Sequence, residues 1–440
     1  MSDSLLLRFY IYHPQLFVAH SPSLKPDTEM TSQLAVVSAL MGLTAFTMCR
    51  YTKPTTSKNK FHQSIDINRC HSIIAAEKHP NGLANHLTPY ESRALPNERL
   101  QIAFGIKNAF TGMDEAYAKR FANHARDLVN LSSTEDWNEL SGSLRDAVEM
   151  WTDDQERIRL TSMIQALSLR LILPVFFKNR LFYAEADAPL VDLAEAINRV
   201  WMETKNKDDI LRFEDNVELQ ECLATIFPGS NFSDPEDNPL NLILPGFETM
   251  WRVVFRLTLE ITFTTGQKHP EWADMLIAFA NNPTTTQFTE THPDNKSHIS
   301  ISPKHLVNEA LRLYPPTRRI YRAFKTSQNA TIETLSADIE ACHTSVDIWG
   351  SDAMIFSPGR WTERTSQQRQ AFLPFGSVPF VCPARLAFGP RVIGLLVGCL
   401  VRGLRGGEWR VEGDGVNVDL SGGRLSNERG AYHDMYLVKK

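Results

Sequence analysis

The chain has 440 residues, 42% of them hydrophobic and 22% charged, which is typical of one large globular domain or of two to three smaller ones. A formal net charge of −5 excludes a protein whose main partner is nucleic acid. Its six cysteines, without a CxxC pair or a cysteine–histidine cluster, exclude a disulfide scaffold and a structural zinc site and favour a reducing compartment.

The first predicted element is an uncharged stretch of 20 residues, Met30–Cys49, followed by basic residues between 50 and 60. About 20 apolar residues span the hydrocarbon layer of a bilayer, and basic residues behind such a segment stay on the cytoplasmic side. We therefore expect a transmembrane anchor at 30–50, with a buried core helix as the alternative. Residues 1–29 form a leader of doubtful origin, and Met30 is a candidate for the natural start of the protein.

Residues 51–440 are predicted to form a single, largely helical domain. No element is assigned between 51 and 95, where the sequence is polar and lacks periodicity. Further on, apolar residues recur with helical spacing. The predicted helices cover 113–131, 142–152, 155–177, 188–204, 215–227, 240–265, 303–313 and 384–402. Strand-like patterns at 317–360 and after 405 predict a minor β portion towards the carboxyl end.

A loop rich in proline and glycine precedes the last predicted helix and contains Cys382. Pro383 follows the cysteine directly, and proline is favoured at the first position of a helix. The spacing therefore predicts that Cys382 lies at a helix amino terminus, where free N–H groups and the helix dipole stabilise a thiolate. On these features alone, a metal-ligating thiolate, a catalytic thiol and an inert buried cysteine all stay open.

This loop resembles the cysteine loop of the cytochrome P450 family, which reads Phe-Gly-x-Gly-x-Arg-x-Cys-x-Gly/Ala. The matching positions are Phe375, Gly376, Cys382 and Ala384. Val378 stands where the second glycine is expected, and Phe380 stands where a basic residue usually meets a haem propionate. The resemblance implies that Cys382 is the thiolate ligand to the iron of haem b and that Phe375 helps to bind the cofactor. It also implies that one propionate partner is missing.

A second motif consists of Glu309 and Arg312, three residues apart on a predicted helix. Such a pair shares one helix face, and alone it predicts no more than a surface ion pair. The segment 356–361 resembles the Pro-Glu-Arg-Phe stretch of the same family, with glycine and tryptophan in place of Glu and Phe. The resemblance implies that Glu309, Arg312 and Arg360 form a buried structural triad.

Three arginines follow the second motif, at positions 318, 319 and 322. The resemblance implies that one of them binds a haem propionate, and Arg318 and Arg319 are the preferred candidates.

The predicted helix at 240–265 contains the run Leu244–Thr249, which resembles the family's oxygen-activation signature Ala/Gly-Gly-x-Asp/Glu-Thr. Pro245 stands in the Ala position, and a proline next to a glycine predicts a bulge or kink that opens a pocket. The resemblance implies that Thr249 holds the proton network of the oxygen-activation site and that Glu248 connects it to solvent as a proton source. The alternative is a kinked helix with a stray acid.

These three motifs, in the family's order, predict a mainly α, cytochrome P450-like fold with a minor β portion behind the anchor. The resemblance implies a monooxygenase that inserts one atom of O2 into an apolar small molecule, with electrons from NADPH through a separate flavoprotein reductase. It also implies the endoplasmic reticulum membrane, a catalytic domain facing the cytosol, and a role among filamentous-fungal enzymes of secondary metabolism. The alternatives are a haem-thiolate isomerase or dehydratase and a non-catalytic relic of the fold. The resemblance covers about 240–405, and the chain has no Trp-x-x-x-Arg propionate motif.

Overall fold

Helices carry most of the fold in the computed structural model, which describes residues 66–153, 155–178, 187–205, 209–294, 299–413, 416–417, 420 and 423–440. The predicted leader at 1–29 and the predicted anchor at 30–50 lie outside this described part. Within it, no helix combines the length and the apolar character needed to cross a membrane.

The helix boundaries follow from local caps as well as from apolar periodicity. The α-helices are α1 (Ile67–Ala75), α2 (Pro89–Ala94), α3 (Glu98–Phe104), α4 (Glu115–Leu128), α5 (Thr134–Thr152), α6 (Leu160–Phe176), α7 (Asp187–Glu203), α8 (Val217–Ile226), α9 (Leu240–Thr262), α10 (Pro270–Asn281), α11 (Thr285–Thr289), α12 (Pro303–Leu313), α13 (Ile339–Thr344), α14 (Val346–Trp349), α15 (Ser366–Ala371) and α16 (Phe388–Arg405). At the start of α1 the Asp66 carboxylate accepts the Arg69 N–H at 3.0 Å, and Thr88 and Glu91 form a capping box on α2. These caps supply partners for backbone N–H groups that the helices leave free.

The core lies between three long helices, α6, α9 and α16. Helix α6 is apolar on nearly every side and is almost completely buried, as expected of a helix without a polar face. Helix α9 packs against both α6 and α16, and α16 in turn packs against α5 and α10. The helices that carry the predicted oxygen-activation motif and follow the predicted cysteine loop therefore touch each other at the centre of the domain.

The strands form three small antiparallel sheets. They are β1 (Arg157–Arg159), β2 (His292–Pro293), β3 (Ser300–Ile301), β4 (Arg319–Phe324), β5 (Glu333–Asp338), β6 (Trp409–Gly413), β7 (Val416–Asn417) and β8 (Met435–Lys439). The largest sheet has the order β1-β8-β6-β7, while β2 pairs with β3 and β4 with β5. In the β4–β5 hairpin, Ile320 lies opposite Ala337.

The predicted fold class, mainly α with a minor β portion, is confirmed. The β portion is not confined to the carboxyl end, because β1 precedes α6 and pairs with β8 at the end of the chain. Helices α1 to α3 lie in and next to the region where no element was assigned, and their short lengths explain why periodicity did not reveal them.

Candidate functional site

Cys382 lies in a tightly folded loop between α15 and α16, here called the cysteine loop, residues 372–387. Its backbone N–H donates to the Phe375 carbonyl at 2.9 Å, which closes the loop on itself. Gly376 has a φ of +72°, a conformation that favours glycine, and a Cβ there would lie 2.9 Å from the Phe380 carbonyl oxygen. The turn therefore requires a glycine at this matching position of the motif.

The sulfur of Cys382 is held at a short 3-10 turn rather than at the start of the long helix. Cys382 caps the turn Pro383–Arg385, and α16 begins only at Phe388. Between them, Ala387 leaves the helical conformation with φ −127° and ψ −54°. Cys382 therefore does lie just before a helical turn that Pro383 opens, as predicted, but the break at Ala387 separates this turn from α16 and the cysteine from the dipole of the long helix.

Burial raises the pKa of the Cys382 thiol, and a hydrogen bond from the Ala384 backbone N–H opposes this effect. Because burial is the larger of the two, the thiol is neutral at pH 7 until a positive charge is brought close to it. A metal cation supplies such a charge and deprotonates a coordinating thiol. The surroundings of this sulfur therefore argue against a free catalytic nucleophile and leave a metal ligand or an inert cysteine as the two interpretations.

Phe375 is partly buried and packs with its ring against the start of α16. A Cβ at Gly389 would lie 3.0 Å from Cε1 of Phe375, so the close approach of the ring depends on this glycine. The structure thus gives Phe375 a packing role in holding the cysteine loop on α16, while its contact with a cofactor stays a prediction.

Arg318 and Arg319, the preferred candidates for binding a propionate, already have carboxylate partners. Arg318 contacts Glu340 at 2.5 Å and Glu428 at 2.7 Å, and Arg319 contacts Asp338 at 3.2 Å. The two arginine side chains are 33% and 49% exposed. The geometry argues against both candidates, because their charges are neutralised by neighbours on the protein surface.

Arg322 is the one of the three predicted arginines that is buried, with 5% of its surface exposed. Its guanidinium donates to the carbonyls of Ile74 at 3.1 Å and Tyr321 at 2.7 Å, and within the described residues it meets no carboxylate. The guanidinium carbon lies 5.0 Å from the ring centre of Phe380, two positions before Cys382. Burial lowers the pKa of Arg322 to about 9, with the charge of Arg93 as the next cause. A buried cation beside the cysteine loop is therefore available to an anionic ligand.

The structure brings the predicted triad together inside the domain. Glu309 and Arg312 are both completely buried, and Arg312 donates to the two carboxylate oxygens through Nε at 2.9 Å and Nη2 at 2.7 Å. Arg360 donates to the same carboxylate at 2.9 Å, as do the indole N–H of Trp361 and the backbone N–H of Ser357. All acceptor positions of Glu309 are thus used for holding the segment 356–361 against α12.

His343 connects this triad to the cysteine loop. Its Nε2 accepts the Leu373 backbone N–H at 2.9 Å, so Nδ1 carries the ring proton and donates to the Arg312 carbonyl at 3.1 Å. Burial, followed by the charge of Arg312, lowers the pKa of His343 to about 3, which keeps the ring neutral. No local sequence pattern around His343 indicates this positioning role.

Helix α9 continues through Pro245 from Leu240 to Thr262, so the bulge or kink predicted there does not interrupt it, and the carbonyl that the proline leaves without a donor is satisfied from outside the helix. Proline removes the N–H that would bond to the Asn241 carbonyl, and Asn108 Nδ2 donates to that carbonyl at 3.2 Å instead. The Asn241 side chain accepts the Lys107 N–H at 2.8 Å and donates to the Pro235 carbonyl at 2.7 Å. The start of α9 is therefore fastened to the segment that follows α3.

The glycine of the oxygen-activation motif makes room for an aromatic ring. A Cβ at Gly246 would lie 2.5 Å from Cε2 of Phe176, at the end of α6. The side of α9 that the glycine leaves open is thus occupied by Phe176 rather than being an open pocket. Thr249, one turn later and partly buried, donates its hydroxyl proton to the Pro245 carbonyl at 2.8 Å.

Glu248 lies in a buried ion-pair network and is only 3% exposed. Arg429 contacts its two carboxylate oxygens at 3.2 and 2.9 Å, and Arg252 contacts one of them at 3.3 Å. The carboxylate therefore fastens the segment before β8 to α9. This geometry does not itself connect Glu248 to solvent, and its role in proton delivery stays a prediction.

The described residues show one signal that sequence reasoning could have used and did not. In the first part of β4, the partly buried Ile320 and the buried Arg322 alternate with the exposed Arg319 and Tyr321, and the geometry of a strand places Ile320, Arg322 and Phe324 on the same face. An arginine between two apolar residues with this spacing is predicted to point inwards.

No protein-family model matches the chain. Curated proteins similar to it are cytochromes P450. It is 32% identical over 127 residues to cytochrome P450 72A397 of Kalopanax septemlobus and 28% identical over 163 residues to cytochrome P450 monooxygenase himC of Aspergillus japonicus. These matches cover 26% and 33% of this chain. They cover only 23% and 27% of those relatives, about a quarter of their length.

A solved haem domain of a cytochrome P450DA mutant has a similar fold, with a TM-score of 0.51 over 86% of each chain and 14% sequence identity. At this identity the likeness shows the fold alone. The cytochrome P450-like fold that the three motifs predicted is therefore confirmed, and so is the resemblance to cytochromes P450.

Proposed function

We propose that the chain is a haem-thiolate monooxygenase of the cytochrome P450 type, in which the sulfur of Cys382 binds the haem iron. One observation carries the proposal: a partly buried thiol lies in a closed loop whose Phe380 contacts Arg322, a buried cation without a carboxylate partner among the described residues. Haem needs both features, because its iron takes an anionic sulfur ligand and its propionates are anions.

The residues fit the cofactor on chemical grounds. Burial keeps Cys382 neutral by itself, so the sulfur becomes a thiolate when iron binds. The Ala384 N–H then stabilises the anionic sulfur, and Arg322 neutralises a propionate that would otherwise enter a buried region unpaired. Haem bound through a thiolate supplies the activation of O2 and the insertion of one oxygen atom into an apolar substrate.

The remaining tasks of the protein are positioning and proton transfer. The triad of Glu309, Arg312 and Arg360, together with His343, holds the cysteine loop in place. Thr249 carries an exchangeable proton on its hydroxyl, which now bonds to the Pro245 carbonyl. Rotation of this hydroxyl would release the proton towards a bound ligand, and we assign the proton-relay role to it. Electrons would come from NADPH through a separate flavoprotein reductase.

A haem-thiolate isomerase or dehydratase is the second candidate function, and the position of Glu248 favours it. Both oxygens of this carboxylate contact guanidinium groups, so it is not free to carry protons from solvent. Isomerisation or dehydration of a pre-oxidised substrate needs no such proton delivery. The two functions differ in whether turnover consumes NADPH and O2.

The test uses full-length chain produced with haem. We expect bound haem, a carbon monoxide difference spectrum of the thiolate-ligated kind, and substrate oxidation that requires NADPH, reductase and O2. Cys382→Ser should abolish the thiolate spectrum, whereas Cys222→Ser, which changes a partly exposed cysteine elsewhere, should leave it intact. Wild-type chain that stays colourless with added haem would overturn the proposal. A thiolate spectrum with turnover that is independent of NADPH would establish the second candidate.

We also propose that residues 30–50 anchor the protein in the endoplasmic reticulum membrane with the catalytic domain in the cytosol, and that it serves fungal secondary metabolism. The support for the anchor is the uncharged stretch followed by basic residues. The support for a fungal role is that one of the relatives named above is a fungal cytochrome P450 monooxygenase. Cell fractionation of the full chain and of a chain starting at residue 51 would test the anchor, and equal distribution of both would refute it.

A further inference from the structure

We infer that Arg93 on α2 replaces the basic residue that the cysteine loop lacks at Phe380, so that Arg93 and Arg322 together hold the two propionates of the cofactor. This inference rests on the proposed haem binding and names the residues that would receive the anionic side of the cofactor. Nothing in the sequence around Arg93 matches a propionate-binding motif, and only the folded chain places it beside the cysteine loop.

Arg93 is a buried cation without a counter-charge. Its side chain is 8% exposed, and its guanidinium carbon lies 4.1 Å from the ring centre of Phe380 and 5.5 Å from that of Tyr90. Its Nε has no hydrogen-bond partner among the described residues, although the atom is shielded from solvent. Burial lowers its pKa to about 10. A buried donor without a partner is costly, so this guanidinium is suited to an anion that comes from outside the chain.

Arg322 approaches the same aromatic ring, with its guanidinium carbon 5.0 Å from the Phe380 ring centre. The positive charge of Arg93 lowers the pKa of Arg322, so the two cations repel each other. Neither of them has an Asp or Glu partner within the described part of the chain. Two like charges held close together in a buried place, without a carboxylate, point to a ligand with two negative groups.

Phe380 explains why the loop tolerates this arrangement. Its aromatic ring offers the guanidinium groups the negative face of a π-system, and its edge contacts Tyr90 at a centroid distance of 5.4 Å. A basic residue at this position would place a third cation between Arg93 and Arg322. Phe380 and Arg93 therefore complement each other. Arg93 on α2 supplies the positive charge, and the neutral ring of Phe380 occupies the loop position where the family's motif has a basic residue.

A purely structural role for Arg93 would have a different effect on the stability of the haem-free chain. If the arginine serves only to attach α2 to the cysteine loop through Phe380, its removal destabilises the haem-free chain. If it is an anion site without its anion, its removal relieves buried like-charge repulsion and leaves the haem-free chain equally or more stable. Thermal unfolding of haem-free full-length chain separates these roles.

The main experiment compares the affinity of full-length, haem-free chain for haemin and for haemin dimethyl ester, which lacks the negative charges. Wild-type chain should prefer haemin by about tenfold or more, the effect of a charge-assisted hydrogen bond to a carboxylate. Arg93→Gln and Arg322→Gln should each lower the affinity for haemin by about tenfold and leave that for the ester nearly unchanged. Arg319→Gln, which removes an arginine of the same strand that pairs with Asp338, is the matched control and should keep the wild-type preference.

A charge-relocation variant completes the design. Phe380→Arg combined with Arg93→Gln should restore the preference for haemin over its ester. An Arg93→Gln chain that keeps the wild-type preference, or that unfolds at a lower temperature than wild type without haem, overturns the inference while leaving the proposed function intact. Wild-type chain that binds neither haemin nor its ester overturns the proposed function itself.

Discussion

Replacing Glu309 by glutamine tests whether the buried triad holds the domain together. The carboxylate accepts five hydrogen bonds, from Arg312 twice and from Arg360, Trp361 and Ser357 once each. Glutamine has nearly the same shape but only one acceptor oxygen. If this oxygen replaces Oε1, the new NH2 group faces the Nε of Arg312 and the indole N–H of Trp361, which are both donors.

The expected loss follows from burial. Both Glu309 and Arg312 have side chains with 0% exposure, and that of Arg360 is 9% exposed. Removal of one partner from a buried ion pair leaves uncompensated charge and costs about 3–5 kcal/mol. The variant also loses two hydrogen bonds, from Arg312 Nε and the Trp361 indole, and each such loss costs about 1–3 kcal/mol, which agrees with this range. We therefore expect Glu309→Gln to lower the free energy of unfolding by about 3–5 kcal/mol.

Urea unfolding of full-length chain, followed by tryptophan fluorescence, measures this loss. The matched control is Glu236→Gln, because Glu236 forms an ion pair with Lys107 at 2.6 Å in which both side chains are about half exposed. An exposed pair of this kind contributes below about 1 kcal/mol. Equal losses for the two variants would refute the reasoning, since they would show that burial of the triad does not set its contribution.

Two further variants test neighbouring features. Because the His343 pKa is lowered to about 3, the folded chain stays neutral there while the unfolded chain takes up a proton as the pH falls below about 6.5, so stability decreases on acidification. His343→Gln should reduce this decrease in the free energy of unfolding by up to about 1.4 kcal/mol per pH unit. Urea titrations between pH 7 and pH 4 measure the decrease. The control is His124→Gln at an exposed position, which should leave the pH dependence unchanged. Gly246→Ala should cost about 1–3 kcal/mol because its Cβ meets Phe176, whereas Gly142→Ala in α5 has free space and should stabilise by about 0.5–1 kcal/mol.

The central motifs could be predicted because each is local in sequence. Glu309 and Arg312 are one helical turn apart, so helix geometry alone brings them together. Pro245 likewise removes one backbone donor from its helix wherever the helix lies, and the Asn241 carbonyl does take its partner from outside α9. For these residues the separation along the chain determines the contact, and the tertiary fold adds only its burial.

The rest depends on contacts between distant segments. Arg318 and Arg319 were preferred over Arg322 because the strand boundaries of β4, and so the inward face, could not be placed from the sequence. The sequence does not reveal that the turn after Cys382 ends before α16, because Ala387 breaks the helix without a glycine or proline at that residue. The approach of Arg93 to Phe380 joins α2 to the cysteine loop, and no local pattern predicts a contact of that range.

The imidazole of His343 couples the cysteine loop to α12, because one ring is hydrogen-bonded to both segments. Its one ring accepts the Leu373 amide and donates to a carbonyl near the end of α12, so movement of either segment away from the ring breaks one bond and leaves a buried polar group without its partner. Amide exchange of Leu373 with deuterated solvent should therefore proceed at the rate of the slow amides of α12 rather than at the rate of a surface loop. The connection before α16 would then belong to the same cooperative unit as the domain centre, and Cys382 would be held as firmly as the residues of the core.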